Sequence, residues 1–350
     1  MVTEDWGLAM RISVILCTYN GAERLPVTLE KLAGQILPQE CEWEVLLIDN
    51  ASIDDTASIA AVTAISFPVP LRVLHEATPG KHHALETAFS NATGTYYCIV
   101  DDDNSLEPDY LRNGMEFLDQ HPDVAMIGGR TFPQFPDGVT PPADFYGRYS
   151  HFLACHDHGP ERLWSTTPPG AGQMGRVSLM RGIYEHIGTW ASCRVGNSVD
   201  SGEDLEKALV CRRLGWQTAH VPDLRLHHRL TSRRLTEEYI DALQCAALSA
   251  GPWLRSVGGL EDGTSRRKAA FAMFSDILLV GKYALLSIIP AIHPKLKRAP
   301  FWRRFYSSRL AGRVALLRKR KQARDYIARI DSAPPTFRPQ DHRSKSKQKA

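Results

Sequence analysis

The sequence lacks the cysteine and glycine patterns that identify several common classes of protein. Its seven cysteines are scattered singly without a CxxC pair, which predicts reduced thiols and excludes a disulfide framework or a regular zinc site. No GxGxxG follows the first apolar segment and no GxxxxGK(S/T) occurs, so the dinucleotide-binding and P-loop fingerprints are missing. A GxGxxG at 170–175 follows two prolines instead of a strand and therefore predicts no cofactor loop. The opening residues have no basic segment followed by an apolar one, so we expect no secretory signal.

Acidic residues are scarce in the last quarter of the chain. Residues 264–350 hold 22 Lys and Arg but only 4 Asp and Glu, a net charge of +18. Residues 1–263 hold 20 basic and 35 acidic residues, a net charge of −15. An acidic body with a basic tail indicates an anionic partner for the tail. A nucleic-acid-binding protein is one alternative, but the acidic body would repel phosphate backbones, so we expect no nucleic-acid partner.

The tail also lacks an uninterrupted apolar run of the length that a membrane-crossing helix needs, about 20 residues. Residues 271–292 are strongly apolar, but Asp276 and Lys282 interrupt them, which disfavours a membrane span. Clustered Arg and Lys on both flanks, together with Phe301, Trp302 and Phe305, are typical of a helix lying on an anionic leaflet. We therefore expect a cytoplasmic protein that is peripheral on the inner face of the cell membrane. A helical cap over the body and a nucleic-acid-binding arm are the alternatives for this segment.

Strands that alternate with helices dominate the first part of the chain. Compact apolar runs at 11–20, 44–50, 71–74 and 96–100 read as buried strands, and helical periodicity fills the intervals. This order predicts an α/β fold whose sheet has parallel strands joined by right-handed crossovers.

The fourth of these strands ends in three consecutive carboxylates, Asp101, Asp102 and Asp103. A buried strand delivers such residues to the sheet edge where open α/β sheets bind ligands. Three carboxylates repel one another unless a cation lies among them, and hard divalent cations prefer oxygen ligands. The alternative is a solvated acidic turn, since Asp-Asn-Ser is also turn chemistry.

An ordered set of motifs from about residue 11 to residue 239 resembles family 2 glycosyltransferases. The set comprises Thr18-Tyr19-Asn20, Asp49-Asn50-Ala51-Ser52 with Asp54-Asp55-Thr56, Pro79-Gly80-Lys81, Asp101-Asp102-Asp103, Gly170-Ala171-Gly172 and Gly202-Glu203-Asp204. The resemblance implies a single nucleotide-sugar-binding domain with a mixed, mostly parallel sheet flanked by helices.

We therefore expect residues 1–263 to form the catalytic domain, with a nucleotide-binding half at about 11–130 and an acceptor half at about 131–250. Residues 264–331 are expected to form a helical, amphipathic and basic extension, with a second helix at about 310–330. Residues 332–350, with two prolines and Lys, Ser and Gln repeats, are expected to be disordered.

By resemblance, Thr18, Asn20 and Asp49 line the pocket for the nucleobase and ribose. A carboxylate can accept hydrogen bonds from the base or the ribose, although Asp49 could instead form a helix N-cap or Asx-turn. Lys81 lies near the phosphates as a point charge, unless it is an ordinary exposed lysine. Gly172, with Gly170, would let the backbone approach the donor or acceptor closely.

The resemblance assigns the acidic triplet to a Mn²⁺ or Mg²⁺ site that stabilises the departing nucleoside diphosphate. The pattern of the resembled family favours Asp101 and Asp103 as the ligands, with Asp102 in the donor site, and alternation along an extended segment would let those two ligands face one ion. His227 or His228 could be a third ligand, with a weak preference for His227, although a lone histidine more often packs or hydrogen-bonds.

Asp204 is the expected general base by resemblance, with Glu203 orienting the acceptor. An acceptor hydroxyl must lose its proton as it attacks the anomeric carbon, and the helix dipole would keep Asp204 ionised for that purpose. The alternative is a purely structural capping box between Ser201 and Asp204.

The activity implied is that of an inverting, metal-dependent transferase with a nucleotide-sugar donor, a UDP-sugar being favoured. The acceptor would be lipid-linked or a glycan, in cell-surface polysaccharide or glycolipid synthesis. The Gln-x-x-Arg-Trp pattern of processive synthases is missing, which favours transfer of a single sugar. A nucleotidyltransferase is the rival enzyme, but it would usually carry a Gly-rich basic loop after the first strand, where this chain has Thr18-Tyr19-Asn20-Gly21.

Overall fold

The computed structural model describes residues 10–141, 145–164, 171–188, 202–260, 265–287 and 299–339. Within these ranges one mixed sheet of nine strands forms the centre of the molecule. The strands are β1 (Met10–Thr18), β2 (Glu42–Asp49), β3 (Leu71–His75), β4 (Tyr96–Asp101), β5 (Asn104–Leu106), β6 (Val124–Gln134), β7 (Leu163–Trp164), β8 (Met174–Arg176) and β9 (Gln217–Arg229).

The strands are ordered β3-β2-β1-β4-β8-β6-β9-β5, and β7 pairs with β9. The longer pairings are parallel, namely β1 with β2 and β4, β2 with β3, and β6 with β9. The short strands β5, β7 and β8 pair antiparallel. The prediction of a mixed, mostly parallel sheet is therefore confirmed.

Ten α-helices lie in the described ranges, and they cover both faces of the sheet. They are α1 (Leu25–Ala33), α2 (Thr56–Ser66), α3 (Lys81–Asn91), α4 (Tyr110–Gln120), α5 (Val177–Gly182), α6 (Glu203–Arg213), α7 (Glu237–Val257), α8 (Arg266–Ser287), α9 (Ala299–Arg318) and α10 (Arg320–Asp331). Shorter 3-10 or π turns occur at Phe145–Tyr149, Ser150–Leu153, Ile183–Ile187, Ser232–Leu235 and Pro335–Phe337.

Alternation along the central strands divides the core into two layers. Ile15 and Ile99 face one cluster with α3, α5 and α6, whereas Val14 and Val100 face the other with α1 and α4. Because both strand faces are buried, these strands read as continuous apolar runs, which explains why they were predictable from the sequence.

The C-terminal extension packs on the body, as the helical-cap alternative requires. Helix α10 contributes Tyr326 and Ile330, both buried, to the same cluster as α6. The predicted second helix is in fact two, because Lys319 interrupts α9 and α10 with a non-helical backbone.

The predicted disorder from residue 332 is wrong for the part of that tail which the structure describes. Ala333 is buried in the core cluster, and Trp216 Nε1 donates a hydrogen bond of 2.7 Å to the carbonyl oxygen of Phe337. Two prolines stiffen this stretch, and its apolar residues pack on the core cluster. Composition alone does not predict that packing.

Candidate active site at the carboxyl edge of the sheet

The carboxyl ends of three parallel strands meet at one edge of the sheet and bring the predicted polar residues together. Thr18 lies beside Asp49 across β1 and β2, and Cys17 lies beside Asp101 across β1 and β4. This is the edge at which open α/β sheets bind their ligands.

The Asp102 carboxylate is buried and hydrogen-bonded to other side chains of the protein. The hydroxyl of Thr18 donates to Asp102 Oδ2 over 2.6 Å, and Arg24 donates to both carboxylate oxygens over 2.9 Å each. Burial raises the pKa of Asp102, although Arg24 and Thr18 oppose that rise. Thr18 and Asp102 thus hold each other and the turn, and their contacts with a donor stay a prediction.

The Asp103 carboxylate contacts strand β9 and the segment that follows it. Its Oδ2 lies 2.9 Å from Arg234 Nη2 and 3.4 Å from His228 Nε2. His228 is brought there because β5 pairs antiparallel with β9 and places Asn104 opposite His228. Burial alone would raise the pKa of Asp103, but His228, Arg234 and Arg24 outweigh it and hold that pKa well below its usual range.

The predicted ligand set of Asp101, Asp103 and His227 is not assembled. Asp101 accepts from Lys81 Nζ over 2.7 Å, whereas His227 Nε2 lies 3.1 Å from Glu107 Oε1 near the surface. Among the described residues, no three His, Cys, Asp or Glu side chains are grouped around a possible ion. The alternation argument fails because β4 ends at Asp101 and the next two residues form a turn. His228, and not His227, is the histidine beside the triplet, and the choice of His227 as a metal ligand stays a prediction.

The donor chemistry at Asp101 still suits a divalent cation. Its side chain is 39% exposed, one oxygen is already satisfied by an ammonium ion, and the atoms are hard oxygen ligands. Mg²⁺ in particular is usually bound by one or two carboxylates together with substrate phosphates and water, not by a cage of protein atoms. A cation that arrives with a diphosphate would therefore need Asp101 more than it would need a preformed cluster.

Asn20 and Asp49 shape the loops that follow strands β1 and β2 at this edge. Asn20 has a positive φ of 47°, and its Oδ1 accepts from the backbone of Ile53 over 2.9 Å. Asp49 Oδ1 accepts from the backbone of Ser52 over 3.1 Å, which is the Asx-turn alternative. The other carboxylate oxygen of Asp49 lies 3.4 Å from His75 Nδ1.

Asn50 is a supporting residue that the sequence analysis did not single out. Its amide nitrogen donates to the carbonyl of Thr78 over 2.7 Å, and its Oδ1 accepts from Gly80 over 2.7 Å. Gly80 has φ of 133° and directly precedes α3, so Asn50 fixes the loop that presents Lys81 to Asp101. The sequence feature that could have identified Asn50 is its position next to Asp49, directly after a buried strand.

Glu203 and Asp204 occupy the first turn of α6, as predicted. Glu203 pairs with Lys207, one helical turn later, and both side chains are buried. The spacing of four residues on a predicted helix could have revealed Lys207. Ser201 lies outside the described residues, and Gly202, with φ of 117°, occupies the N-cap position.

The pKa of Asp204 is raised above its ordinary value, so its ionisation depends on more than the helix dipole. Burial is the main cause and Glu203 adds to it, while Lys81 and Lys207 act in the opposite direction. A base with a raised pKa is stronger, provided that these lysines keep it ionised at neutral pH.

Lys81 connects the strand edge to helix α6. Burial opposes its charge, but Asp101, Asp204 and Glu203 outweigh burial and raise the pKa of Lys81 well above its usual value. The ordinary exposed-lysine alternative is therefore excluded, since the ammonium is half-buried between carboxylates on two different elements.

Position 172 requires a glycine because neighbouring side chains leave no room for a Cβ. It has φ of 68°, and a Cβ there would lie 2.4 Å from the hydroxyl oxygen of Tyr110. That hydroxyl donates to the carbonyl of Gly172 over 2.6 Å. The expected close approach thus exists, but its partner in this structure is Tyr110. Gly170 lies outside the described residues.

A cleft of about 300 Å³ lies elsewhere, between α4 and β9. Glu107, Asp109, Glu116 and Asp223 line it, against only two arginines. A diphosphate would be repelled by this lining, so the sheet edge remains the candidate site.

Comparison with known proteins places this geometry in a family. The model described as Glycosyl transferase family 2 matches residues 13–194. That range contains Thr18, Asp49, Lys81 and the acidic triplet, and it ends before Glu203 and Asp204.

Among curated proteins, the poly(ribitol-phosphate) beta-N-acetylglucosaminyltransferase TarS of Staphylococcus aureus is 30% identical over 131 residues, 36% of this chain and 23% of TarS. Glycosyltransferase AglE of Haloferax volcanii is 27% identical over 129 residues, 37% of this chain and 42% of AglE. The glucosyl-dolichyl phosphate glucuronosyltransferase of the same organism is 22% identical over 250 residues, 66% of this chain and 73% of that protein. The chain thus spans less than half the length of the first two relatives.

A crystal structure of S. aureus TarS 1–349 in complex with UDP aligns with a TM-score of 0.46 and 17% identity, over 89% of this chain and 92% of that one. The family match alone covers more than half of the 350 residues, and its ordered motifs coincide with the site at the sheet edge. The chain belongs to family 2 of the glycosyltransferases.

Proposed function

We propose that the protein is an inverting, metal-dependent glycosyltransferase that moves a single sugar from a nucleotide-sugar donor, a UDP-sugar, to a lipid-linked or glycan acceptor. The carrying observation is the position of Lys81, which pairs with Asp101 and is electrostatically coupled to Asp204 and Glu203. The ammonium group of Lys81 thus interacts with the acidic end of β4 and with the acidic first turn of α6. Diphosphate binding and proton abstraction have to be adjacent in glycosyl transfer, and these two elements provide one group for each.

In the reaction, Asp204 takes the proton of the acceptor hydroxyl as its oxygen attacks the anomeric carbon. The bond from that carbon to the phosphate oxygen breaks, and the nucleoside diphosphate leaves with the electron pair on the face opposite the attack. Glu203 is held by Lys207 and would orient the acceptor. Lys81 keeps Asp204 ionised and offers a positive charge to the leaving diphosphate.

Asp101 would hold Mn²⁺ or Mg²⁺, which would neutralise charge on the diphosphate oxygens when bound. Asp102 and Asp103 serve this arrangement indirectly, because Arg24 and Arg234 hold them and so fix the turn that follows Asp101. The TarS structures whose descriptions name UDP and UDP-GlcNAc support a uridine nucleotide as the first donor class to test.

The acceptor class and the cellular location rest on the relatives and on the basic extension. Two relatives bear names that specify a dolichyl phosphate or an undecaprenyl phosphate. A lipid-linked acceptor and a peripheral position on the inner face of the cell membrane are therefore the proposed setting.

Calorimetric titration of UDP with and without Mn²⁺ tests the binding half of the proposal. We expect UDP binding that requires Mn²⁺ and is lost in Asp101→Asn. The control Asp55→Asn removes an exposed carboxylate that makes no side-chain cap on α2, and it should bind UDP normally. Absence of Mn²⁺-dependent binding of every nucleoside diphosphate tried would refute the proposal. A donor screen followed by NMR of the product anomer tests inversion.

A further inference from the structure

Helix α8 forms the outermost layer of the C-terminal extension. Helix α9 lies between it and α7, and the α7–α9 contact is so close that a Cβ at Gly312 would lie 2.1 Å from the carbonyl oxygen of Ser249. On its other side α9 meets α8, where Tyr283 stacks on Tyr306 with ring centroids 5.5 Å apart. Asp276 contacts Arg309 and Arg313, whereas Tyr283, further along α8, contacts Tyr306, so α8 and α9 run antiparallel.

Asp276, the residue that interrupts the apolar sequence of α8, is turned inward. It is 1% exposed and accepts from Arg309 Nε over 2.8 Å and from Arg313 Nε over 3.1 Å. Asp276 therefore interrupts the apolar sequence but not the outer surface of the helix, because its carboxylate is buried and paired within the protein.

The outer face of α8 is apolar and exposed. Five large side chains share it: Phe271 (80% exposed), Phe274 (60%), Ile277 (52%), Leu278 (57%) and Leu285 (68%). Their helical spacing places them opposite Asp276 and Tyr283. Soluble monomers rarely expose a continuous apolar strip of this kind without a partner for it.

The charges around this face are all basic among the described residues of α8. Arg267 and Lys268 are exposed at its start, Lys282 is exposed near its end, and the one acidic residue of the helix is buried. An apolar strip with a basic margin complements the hydrocarbon boundary and the anionic headgroups of a bilayer. Phe301, Trp302 and Phe305, expected at the membrane, instead form a buried to half-buried aromatic cluster on α9.

We propose that the outer face of α8 is a docking surface for an anionic lipid bilayer, on which the helix lies in the plane of the interface. This proposal rests on the proposed function, since a lipid-linked acceptor would be met at that surface. Arg267–Ser287 is long and apolar enough to cross a membrane, with a mean hydropathy of 1.6. Crossing would nevertheless separate Asp276 from Arg309 and Arg313, or carry those arginines into hydrocarbon, whereas lying on the surface keeps the ion pairs intact.

Flotation of the full-length protein with liposomes tests the surface. We expect the wild type to float with phosphatidylcholine vesicles that contain phosphatidylglycerol, and less with phosphatidylcholine alone or at high salt. The double variant Phe271→Ser/Leu278→Ser should partition at least about tenfold less onto the anionic vesicles. The control Val62→Ser/Ile65→Ser removes two equally apolar side chains, 69% and 85% exposed on α2, and should float as the wild type does.

Equal flotation of the wild type and the α8 double variant would overturn the surface assignment. Resistance of the bound wild type to extraction with alkaline carbonate would overturn the interfacial orientation. A wild type that fails to float but dimerises in light scattering, with a monomeric α8 variant, would show a second copy as the occupant and overturn the proposal. UDP binding by the same preparations separates the two hypotheses, because it reports on the sheet edge and is independent of α8.

Discussion

Each carboxylate of the acidic triplet is held by a different basic side chain, and that partner decides what the carboxylate can do. Asp102 and Asp103 are buried against Arg24 and Arg234, so in the proposed reaction they would act through the shape of the turn. Asp101 alone is part-exposed, and its partner Lys81 is a flexible point charge that can follow a diphosphate.

Replacing Lys81 with Met should displace the acid limb of the pH profile. Lys81 lowers the pKa of Asp204, which burial otherwise raises, so without Lys81 that pKa rises further. Asp204 then becomes protonated at a higher pH, and kcat/KM falls off at a higher pH than in the wild type. The pH dependence of kcat/KM for a soluble acceptor measures the shift.

Lys81→Arg keeps the charge and is the matched control, with an acid limb close to that of the wild type. A uniform loss of rate in Lys81→Met with an unmoved acid limb would show that Lys81 binds phosphate without affecting the base.

The sequence indicated Thr18 and Asp101 at strand ends and Lys81 and Asp204 at helix starts, and the structure has them there, whereas their proposed roles came from the family resemblance. The sequence could not show which side chains pair with them. The partners Arg24 and Arg234 lie 78 and 131 positions from the aspartates that they hold, and no local pattern encodes such pairs. Strand register likewise places His228, and not His227, beside Asp103, and no local pattern of the sequence encodes that choice.

Short elements, not the long ones, determine the geometry next to Asp101. Strands β1 to β4 were predicted to within a few residues, because each contains a compact apolar run, whereas the longer parallel pair β6 and β9 was not predicted. Strand β5 has three residues and no recognisable pattern, yet its antiparallel pairing with β9 turns Asp103 toward His228 and Arg234. The pairing of β5 with β9 fixes the turn that follows Asp101, so the ion pair between Asp103 and Arg234 should contribute to stability.

Asp103→Asn should lower the free energy of unfolding by about 3 kcal/mol at pH 7, because it leaves Arg234 and His228 facing a neutral group in a buried site. The folded-state pKa of Asp103 is depressed, so its contribution exists above the unfolded-state pKa of about 3.9 and is lost as the pH falls below it. Urea denaturation at pH 7 and at pH 3 measures both effects.

Asp109→Asn is the control for this comparison. It removes an exposed pair with Arg112 at 3.5 Å and should cost less than about 1 kcal/mol at either pH. A cost for Asp103→Asn that stays constant down to pH 3 would contradict the assigned ion pair.

At the scale of the whole molecule, the basic extension packs against the acidic body of the protein. Tyr326 packs edge-on against Trp253, and Arg213 pairs with Asp331 over 2.6 Å. The charge asymmetry of the chain correctly marked a distinct segment, but composition could not show which of its apolar residues face the core and which face outward. The packing of α9 between α7 and α8 determines which apolar residues face the core and which face outward.

Phe337→Ala should lower the free energy of unfolding by about 2 kcal/mol, because the ring is half-buried against Gly182 and His186. Phe271→Ala is the same change at a side chain 80% exposed, and it should alter stability by less than about 0.5 kcal/mol. Chemical denaturation of both variants without lipid makes the comparison, and equal effects would contradict the docked tail.

The most direct test of the account is the turnover of Asp204→Asn with the donor found by screening. Asparagine keeps the size of the side chain but cannot take the proton of the acceptor. We predict that kcat falls at least about 100-fold while the affinity for UDP with Mn²⁺ stays unchanged. Near-normal turnover of Asp204→Asn would contradict the assignment of Asp204 as the base, and with it the proposal that the strand edge and helix α6 form one active site.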